Sequence, residues 1–449
     1  MKTLKKRILA YTLALAILLS SLVMGASTVG ATTSAIDAAV WDGTTATEFA
    51  GGDGSEGNPF IIENGAQLHK MVVEYSTKTA SDGKFFRITE DIYLNDVSDG
   101  RQVKNLAGKK NWLAGYEDGT IATPSKENSF YGSLDGSGHT IYGLYAAGSG
   151  NLLGLFPAIT NGTVVKNLNF ENIFLNGGNC IGATIAGRAI YSNWQKTAQI
   201  VNCSVTNAVI GQYENMEIAA GLVGDVTSVK MNFVDCYADD VVASAWNATA
   251  GIVANDYNDA TIKINNCYSV GIYPVSVSIN KATCTNVYTD VAAPEGNVTE
   301  NIVTLTEEQM LGDAAKTNMA GFNFKYTWQT VENAYPVFNK NVSPVWDGKK
   351  FTGFDSFKGT GTAADPYQIE DASQLAYVVA TDLTDGLCFK LVKDIRINDT
   401  VSENWKDTAI NWIWANVRFV GTFDGDGHTI DGLYFNGSQK RMGLFSYKG

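Results

Sequence analysis

Val165-Lys166-Asn167-Leu168, Ile200-Val201-Asn202-Cys203, Phe233-Val234-Asp235-Cys236 and Ile264-Asn265-Asn266-Cys267 repeat one phrase: an apolar residue, any residue, Asn or Asp, then Cys or another apolar residue. They succeed one another at steps of 35, 33 and 31 residues, and Cys284-Thr285-Asn286-Val287 ends the series with a shortened turn. Midway between them stand Ala183-Thr184-Ile185-Ala186-Gly187, Ala220-Gly221-Leu222-Val223-Gly224 and Ala250-Gly251-Ile252-Val253-Ala254. Self-similarity at such a period is the mark of repeat architecture and has to be read before any local motif. Short strands with inward apolar residues, punctuated by residues that tolerate a left-handed backbone, are what one coil needs to close and stack on the next. Asn167, Asn202, Asp235, Asn266 and Asn286 are therefore expected to form a side-chain ladder at a bend, with Cys203 and Cys236 pointing into the core.

Around this array a longer sentence is written twice. Its stations in the first copy are Trp41-Asp42-Gly43, Asn58-Pro59-Phe60, Asp91-Ile92, Asn111-Trp112, Asp135-Gly136-Ser137-Gly138-His139-Thr140-Ile141 and Gly154-Leu155-Phe156. In the second they are Trp346-Asp347-Gly348, Asp365-Pro366-Tyr367, Asp394-Ile395, Asn411-Trp412, Asp424-Gly425-Asp426-Gly427-His428-Thr429-Ile430 and Gly443-Leu444-Phe445. Asn64 with Gln67 and Asp371 with Gln374 each set a capping residue three before Gln, ahead of apolar residues at helical spacing, so each copy is expected to begin with a helical plug. Thr306 with Gln309 opens a further helix toward Met319, followed by strand-like stretches from Phe322 to Trp328 and at Tyr335-Pro336-Val337-Phe338. The Ala-Gly-Leu-Val-Gly units, the Asp-Gly-x-Gly-His-x-Ile units and the two Gly-Leu-Phe stations together resemble the GLUG-motif family of bacterial exported and surface proteins. That resemblance implies right-handed parallel β-helix domains on large surface or secreted proteins, mostly without an assigned reaction.

The expected fold is thus all-β, a right-handed parallel β-helix with short capping helices. Residues 32–340 form one β-helix domain, Asn339 to Val345 a linker, and 341–449 the start of a second domain that is not completed. Residues 1–31 read as a secretory signal: Lys2, Lys5, Lys6 and Arg7 precede an apolar run from Ile8 to Met24, with small residues to Ala31. Its removal takes the formal charge from −13 to about −17, which leaves no basic footprint for nucleic acid or an anionic membrane. The expected location is extracellular or at the cell surface, without membrane insertion after cleavage. Six cysteines in an exported chain suggest disulfides, but Cys203, Cys236 and Cys267 are stacked by the repeat and are expected as free thiols.

Little in the sequence points to catalysis. His139 and His428 are one repeat position in a Gly-rich turn, and His69 falls on the first cap helix. The GLUG family is linked by name to immunoglobulin-cleaving metalloproteases, yet this chain has no His-Glu-x-x-His and cannot build that zinc site. No catalytic residue, metal or cofactor is assigned. Asp235, Asp239, Asp240, Asp256 and Asp259 are read as a solvated acidic face. The sharper candidates are aromatic. One residue past the inward position come Tyr237, Tyr268 and Tyr288, expected as an outward stripe of rings that suits sugar faces, with Trp194 and Trp246 as further binding candidates in loops. The expected function is a non-enzymatic surface module for adhesion or glycan binding, whose partner is an extracellular glycan or a host or cell-surface ligand. The alternatives are a polysaccharide lyase or glycoside hydrolase on the same scaffold, and a structural spacer of a larger surface protein.

Overall fold

A computed structural model describes residues 40–445 apart from 99–107, 114–124, 126, 150–151, 192–194, 212–214, 277, 280–281, 297–299, 402, 414–416 and 438–441. The signal sequence expected at 1–31 and Trp194 lie outside the described residues. The protein is mainly β, and between Leu152 and Ser269 the chain visits three parallel sheets in turn. The longest sheet contains Val164–Gly178, Ala198–Ile210, Lys230–Val234 with Tyr237–Ala243, Thr261–Ser269, Ala282–Thr289 and Ile302–Thr304. The second is Leu152–Leu153, Ile181–Ala183, Ile218–Ala220 and Ala248–Ala250; the third is Phe156–Thr160, Ala186–Ile190, Val223–Thr227 and Val253–Tyr257. Among the described residues every pairing between strands is parallel except the hairpin of Trp328–Val331 with Ala334–Phe338.

The register follows the repeated phrase. Val165, Ile200, Phe233, Ile264 and Cys284 stand across from one another on successive circuits, and all are buried in a single apolar interior that extends from Trp41 to Val287. Asn167, Asn202, Asp235, Asn266 and Asn286 all have φ between 50° and 54°. A left-handed residue breaks the in–out alternation of a strand, so Ile200 and Cys203 both face inward although they are three apart. Asn and Asp bear this conformation better than other non-glycine residues because their short polar side chains bond locally. A second left-handed series, Asn172, Asn207 and Asp240, marks another bend five residues farther on. Sequence reasoning had not singled it out.

At the corner between the second and third sheets, Leu155, Ile185, Leu222 and Ile252 point into the interior. A Cβ on Gly221 would come within 2.0 Å of the Gly251 carbonyl oxygen, so close stacking of these corners excludes a side chain there. Thr184 occupies the corresponding place one circuit earlier, and its hydroxyl is buried without a partner.

Three helices open where a capping residue precedes Gln by three. Gly65–Glu74 is capped by Asn64, Glu307–Met310 by Thr306 in a capping box, and Ala372–Ala380 by Asp371. Leu68, Met71 and Val72 of the first helix enter the main interior. The helix expected from Thr306 to Met319 is two short ones, Glu307–Met310 and Ala314–Asn318, and the strand expected from Phe322 begins only at Trp328. The stretch expected as a linker contains a strand, Val342–Val345, which pairs with Asp394–Arg396. Residues 346–445 enclose an apolar cluster of their own around Trp346, Leu375, Phe389 and Trp412. This second unit lies against the first through Arg87, whose Nη1 is 2.8 Å from Asp371 Oδ2, and through Lys358 and Glu90 at 3.1 Å.

Candidate functional site

Tyr237, Tyr268 and Tyr288 occupy one register position on three successive circuits, after Ser204. The rings of Tyr237 and Tyr268 are stacked, with centroids 5.0 Å apart and planes 5° from parallel. The stripe expected to meet solvent is nonetheless buried: the three tyrosines are 7%, 0% and 6% exposed. Residues 305–338 fold back over it and pack Met310, Met319, Phe322, Trp328, Tyr335 and Phe338 onto the rings. Tyr268 Oη donates to the Pro336 carbonyl at 2.6 Å, and Tyr288 Oη accepts from Gly321 N at 3.3 Å. A stripe of aromatic faces is a large apolar surface, and the chain leaving the last circuit covers it. These rings therefore have no open face for a sugar.

Among the described candidates Trp246 lies on the surface, 58% exposed. It follows the strand Tyr237–Ala243, and its backbone N–H donates to the Met216 carbonyl at 3.0 Å, which fixes the turn. The next residue, Asn247, lines a shallow groove of about 600 Å³ together with Asn255, Asp256, Tyr257, Asn258 and Asp259. Tyr257 is 45% exposed, so one aromatic side chain lines a groove rich in planar amide and carboxyl groups, and Trp246 precedes its lining residue Asn247 in the chain. Asn258 and Asp259 both have positive φ and shape its rim. Its floor is braced from within: Asp225, in register with Asn255, accepts from Asn255 Nδ2 at 3.3 Å, Thr227 Oγ1 at 3.2 Å and Arg188 Nε at 2.6 Å. Burial pushes the Asp225 carboxyl up despite the adjoining guanidinium. The five aspartates read as one solvated face do not behave as one. Asp239 and Asp256 are buried, Asp235 is half-buried, and only Asp240 and Asp259 are exposed.

No family model matches the chain. Halomucin of Haloquadratum walsbyi is 29% identical over 184 residues, which make up 41% of this chain and 2% of halomucin. A protein of Evansella cellulosilytica, provisionally described as a Gly-rich membrane protein, is 27% identical over 128 residues, 28% of this chain and 12% of that protein. The chain thus spans a small part of each relative. Among solved structures, one from Bacteroides ovatus, provisionally described as an immunoglobulin A1 protease, is similar over 65% of this chain and 95% of that one, at 16% identity and a TM-score of 0.38. A likeness so remote carries no inference.

The repeated histidines have partners that the repeated stations predict only in hindsight. His139 Nδ1 lies 3.2 Å from Asp91 Oδ1 and His428 Nδ1 lies 3.2 Å from Asp394 Oδ1, while the following threonine amides, Thr140 and Thr429, donate to the same oxygens. Each Asp thus pins a Gly-rich turn in its own unit. The Trp and Gly-Leu-Phe stations meet likewise, since the indoles of Trp112 and Trp412 donate to the carbonyls of Leu155 and Leu444. These are structural pairings. Among the described residues no group of three or more His, Cys, Asp or Glu is arranged to hold a metal, and no helix is long and apolar enough to cross a membrane. All six cysteines are free, and Cys203, Cys236 and Cys267 are fully buried.

Proposed function

We propose that the three sheets form a right-handed parallel β-helix of GLUG type, and that the protein is a non-enzymatic cell-surface or secreted module that binds glycan through the Trp246 and Tyr257 face. In-register parallel circuits and the handedness of parallel crossovers support the fold. Similarity to proteins named halomucin and Gly-rich membrane protein supports a surface setting. The observation that carries the binding site is the exposure of Trp246, one residue before Asn247, which lines a groove with Asp256, Tyr257 and Asn258. A flat indole offers an apolar face to a pyranose ring, and neighbouring amides and carboxylates match its hydroxyls. Neither this groove nor a second shallow one, at Glu308, Asp313 and Glu332, has a Lys or Arg in its lining, so a neutral glycan fits these grooves better than an acidic one.

We also take residues 1–31 as an export signal, to be tested by N-terminal sequencing of secreted protein. A glycan array run with the wild-type chain and with Trp246→Ala tests the binding reading. Loss of one stacked ring, about 1 kcal/mol of apolar contact, weakens binding several-fold. Unchanged binding by the variant refutes this site, and absence of binding by the wild type leaves the spacer reading.

A further inference from the structure

The side-chain ladder at the first bend runs in one direction. Asn286 Nδ2 donates to Asn266 Oδ1 at 2.9 Å, and Asn266 stands beside the Asp235 carboxyl and favours its charged form. Farther along, Asn202 Nδ2 donates to Asn167 Oδ1 at 3.0 Å, and Asn167 Nδ2 to Asp135 Oδ1 at 3.0 Å. The link between these two runs is missing. Asn202 Oδ1 is buried without a hydrogen-bond partner. The residue at its place on the next circuit is Asp235, set there by the flanking pairs Val201 with Val234 and Ser204 with Tyr237. Asn202 and Asp235 share the left-handed backbone of every other rung, with φ of 53° and 50°. An asparagine at 235 would donate to Asn202 Oδ1. A carboxylate has only acceptors to offer, whereas a protonated carboxyl has one donor.

We propose that Asp235 is a proton-operated link in this ladder: ionised, it sets acceptor against acceptor at Asn202 Oδ1; protonated, it donates there and joins the two runs into one. Its indole partner accommodates the acid form. Trp328 Nε1, from the segment that covers the tyrosines, donates to it at 3.3 Å and can do so in either form. The charged groups facing it are Arg396 and Asp399 of the second unit, which pair with each other at 2.9 Å, and its neighbour Cys267 is a thiol. Burial, the largest influence, raises the Asp235 carboxyl above the usual range. Asp135, the terminal acceptor, shows the contrast. Burial opposes its ionisation too, but Lys166 and Arg87 outweigh it and hold Asp135 below the usual range. One aspartate ends the ladder as an anion, and the other interrupts it unless protonated.

A carboxyl raised in the folded state stabilises the fold in acid and loses that contribution as pH rises through the raised value. Thermal unfolding of the full chain and of Asp235→Asn, compared at about pH 8 and at a pH below the unfolded carboxylate value of about 3.9, reads this directly. The variant melts higher than wild type at the alkaline end, by about 2–4 °C, and the gap closes toward the acid end. A gap that is absent, or equal at both ends, overturns the proposal. Should the variant fail to fold, the carboxyl carbon resonance of Asp235 in aspartate-labelled wild type decides: titration well above the usual value of about 3.9 upholds the link, and titration at that value overturns it.

Discussion

Tyr268 lies with its ring flat against Tyr237 and its hydroxyl on the Pro336 carbonyl, wholly out of contact with solvent. Its truncation to alanine should cost about 3–5 kcal/mol in chemical denaturation, because it opens a large cavity and strips the Pro336 carbonyl of its donor. For an outward ring the expected cost was small. The register that stacks the tyrosines is legible from the repeat alone, since it needs only the count from Cys236 and Cys267 to Tyr237 and Tyr268. Their burial is not, because the cover comes from residues 305–338, which carry no repeat that could say where they fold back. The buried thiols were legible for the same reason as the register. Cys236 N donates to Cys267 Sγ at 3.3 Å, and burial raises Cys203 and Cys267 well above the ordinary thiol range. Iodoacetamide should leave Cys203, Cys236 and Cys267 unlabelled in the native chain and label all three in denaturant, as read by mass spectrometry without prior reduction.

At the scale of elements, the covering segment is held by side chains more than by backbone pairing. Its two helices have 4 and 5 residues, and its hairpin forms a sheet of two strands only, so none of these pieces is stable by itself. Trp328 sits at the centre, stacked on Phe322 at 4.3 Å, packed near Tyr237 and Tyr268, and bonded to Asp235. Trp328→Ala should therefore loosen the segment as one piece. Limited trypsin digestion should then cut at Lys316 and Lys325 well before the sheets from Val164 to Thr289, whereas in the wild type the two regions resist alike. The capping signals at Asn64, Thr306 and Asp371 could be read from sequence because a cap is local chemistry within four residues. The helix after Thr306 is shorter than expected because Leu311 turns extended, with φ −93° and ψ 144°, and the helix-ending signal that the sequence did carry there is the following Gly312.

Across the whole molecule, the two copies of the longer sentence build matching units, and the repeat predicts each but not their contact. Arg87, 3% exposed, stands in register with Asp135 on one side and reaches Asp371 of the second unit on the other. Asp371 also accepts from Gln374 N to cap its helix. One guanidinium therefore ties the first sheet to the first helix of the next unit. Arg87→Ala leaves two carboxylates without it, at a cost of about 3–5 kcal/mol. Calorimetry should show the transition of residues 341–449 moving below that of the rest, where the wild type gives a single peak.

The ladder residues Asn167 and Asn202 are 35 apart in the chain, and Asn266 and Asn286 only 20. A stack whose successive turns shrink is self-terminating. Another turn of the earlier circumference laid on the last one would overhang it and leave its own apolar residues without support, so the narrow end discourages a second molecule from continuing the pile. Growth of the gene by duplication faces the same geometry: a copied turn fits where neighbours are of nearly equal length, between residues 160 and 260, and is a misfit beyond Ser269. The length of each circuit thus acts as a stop signal.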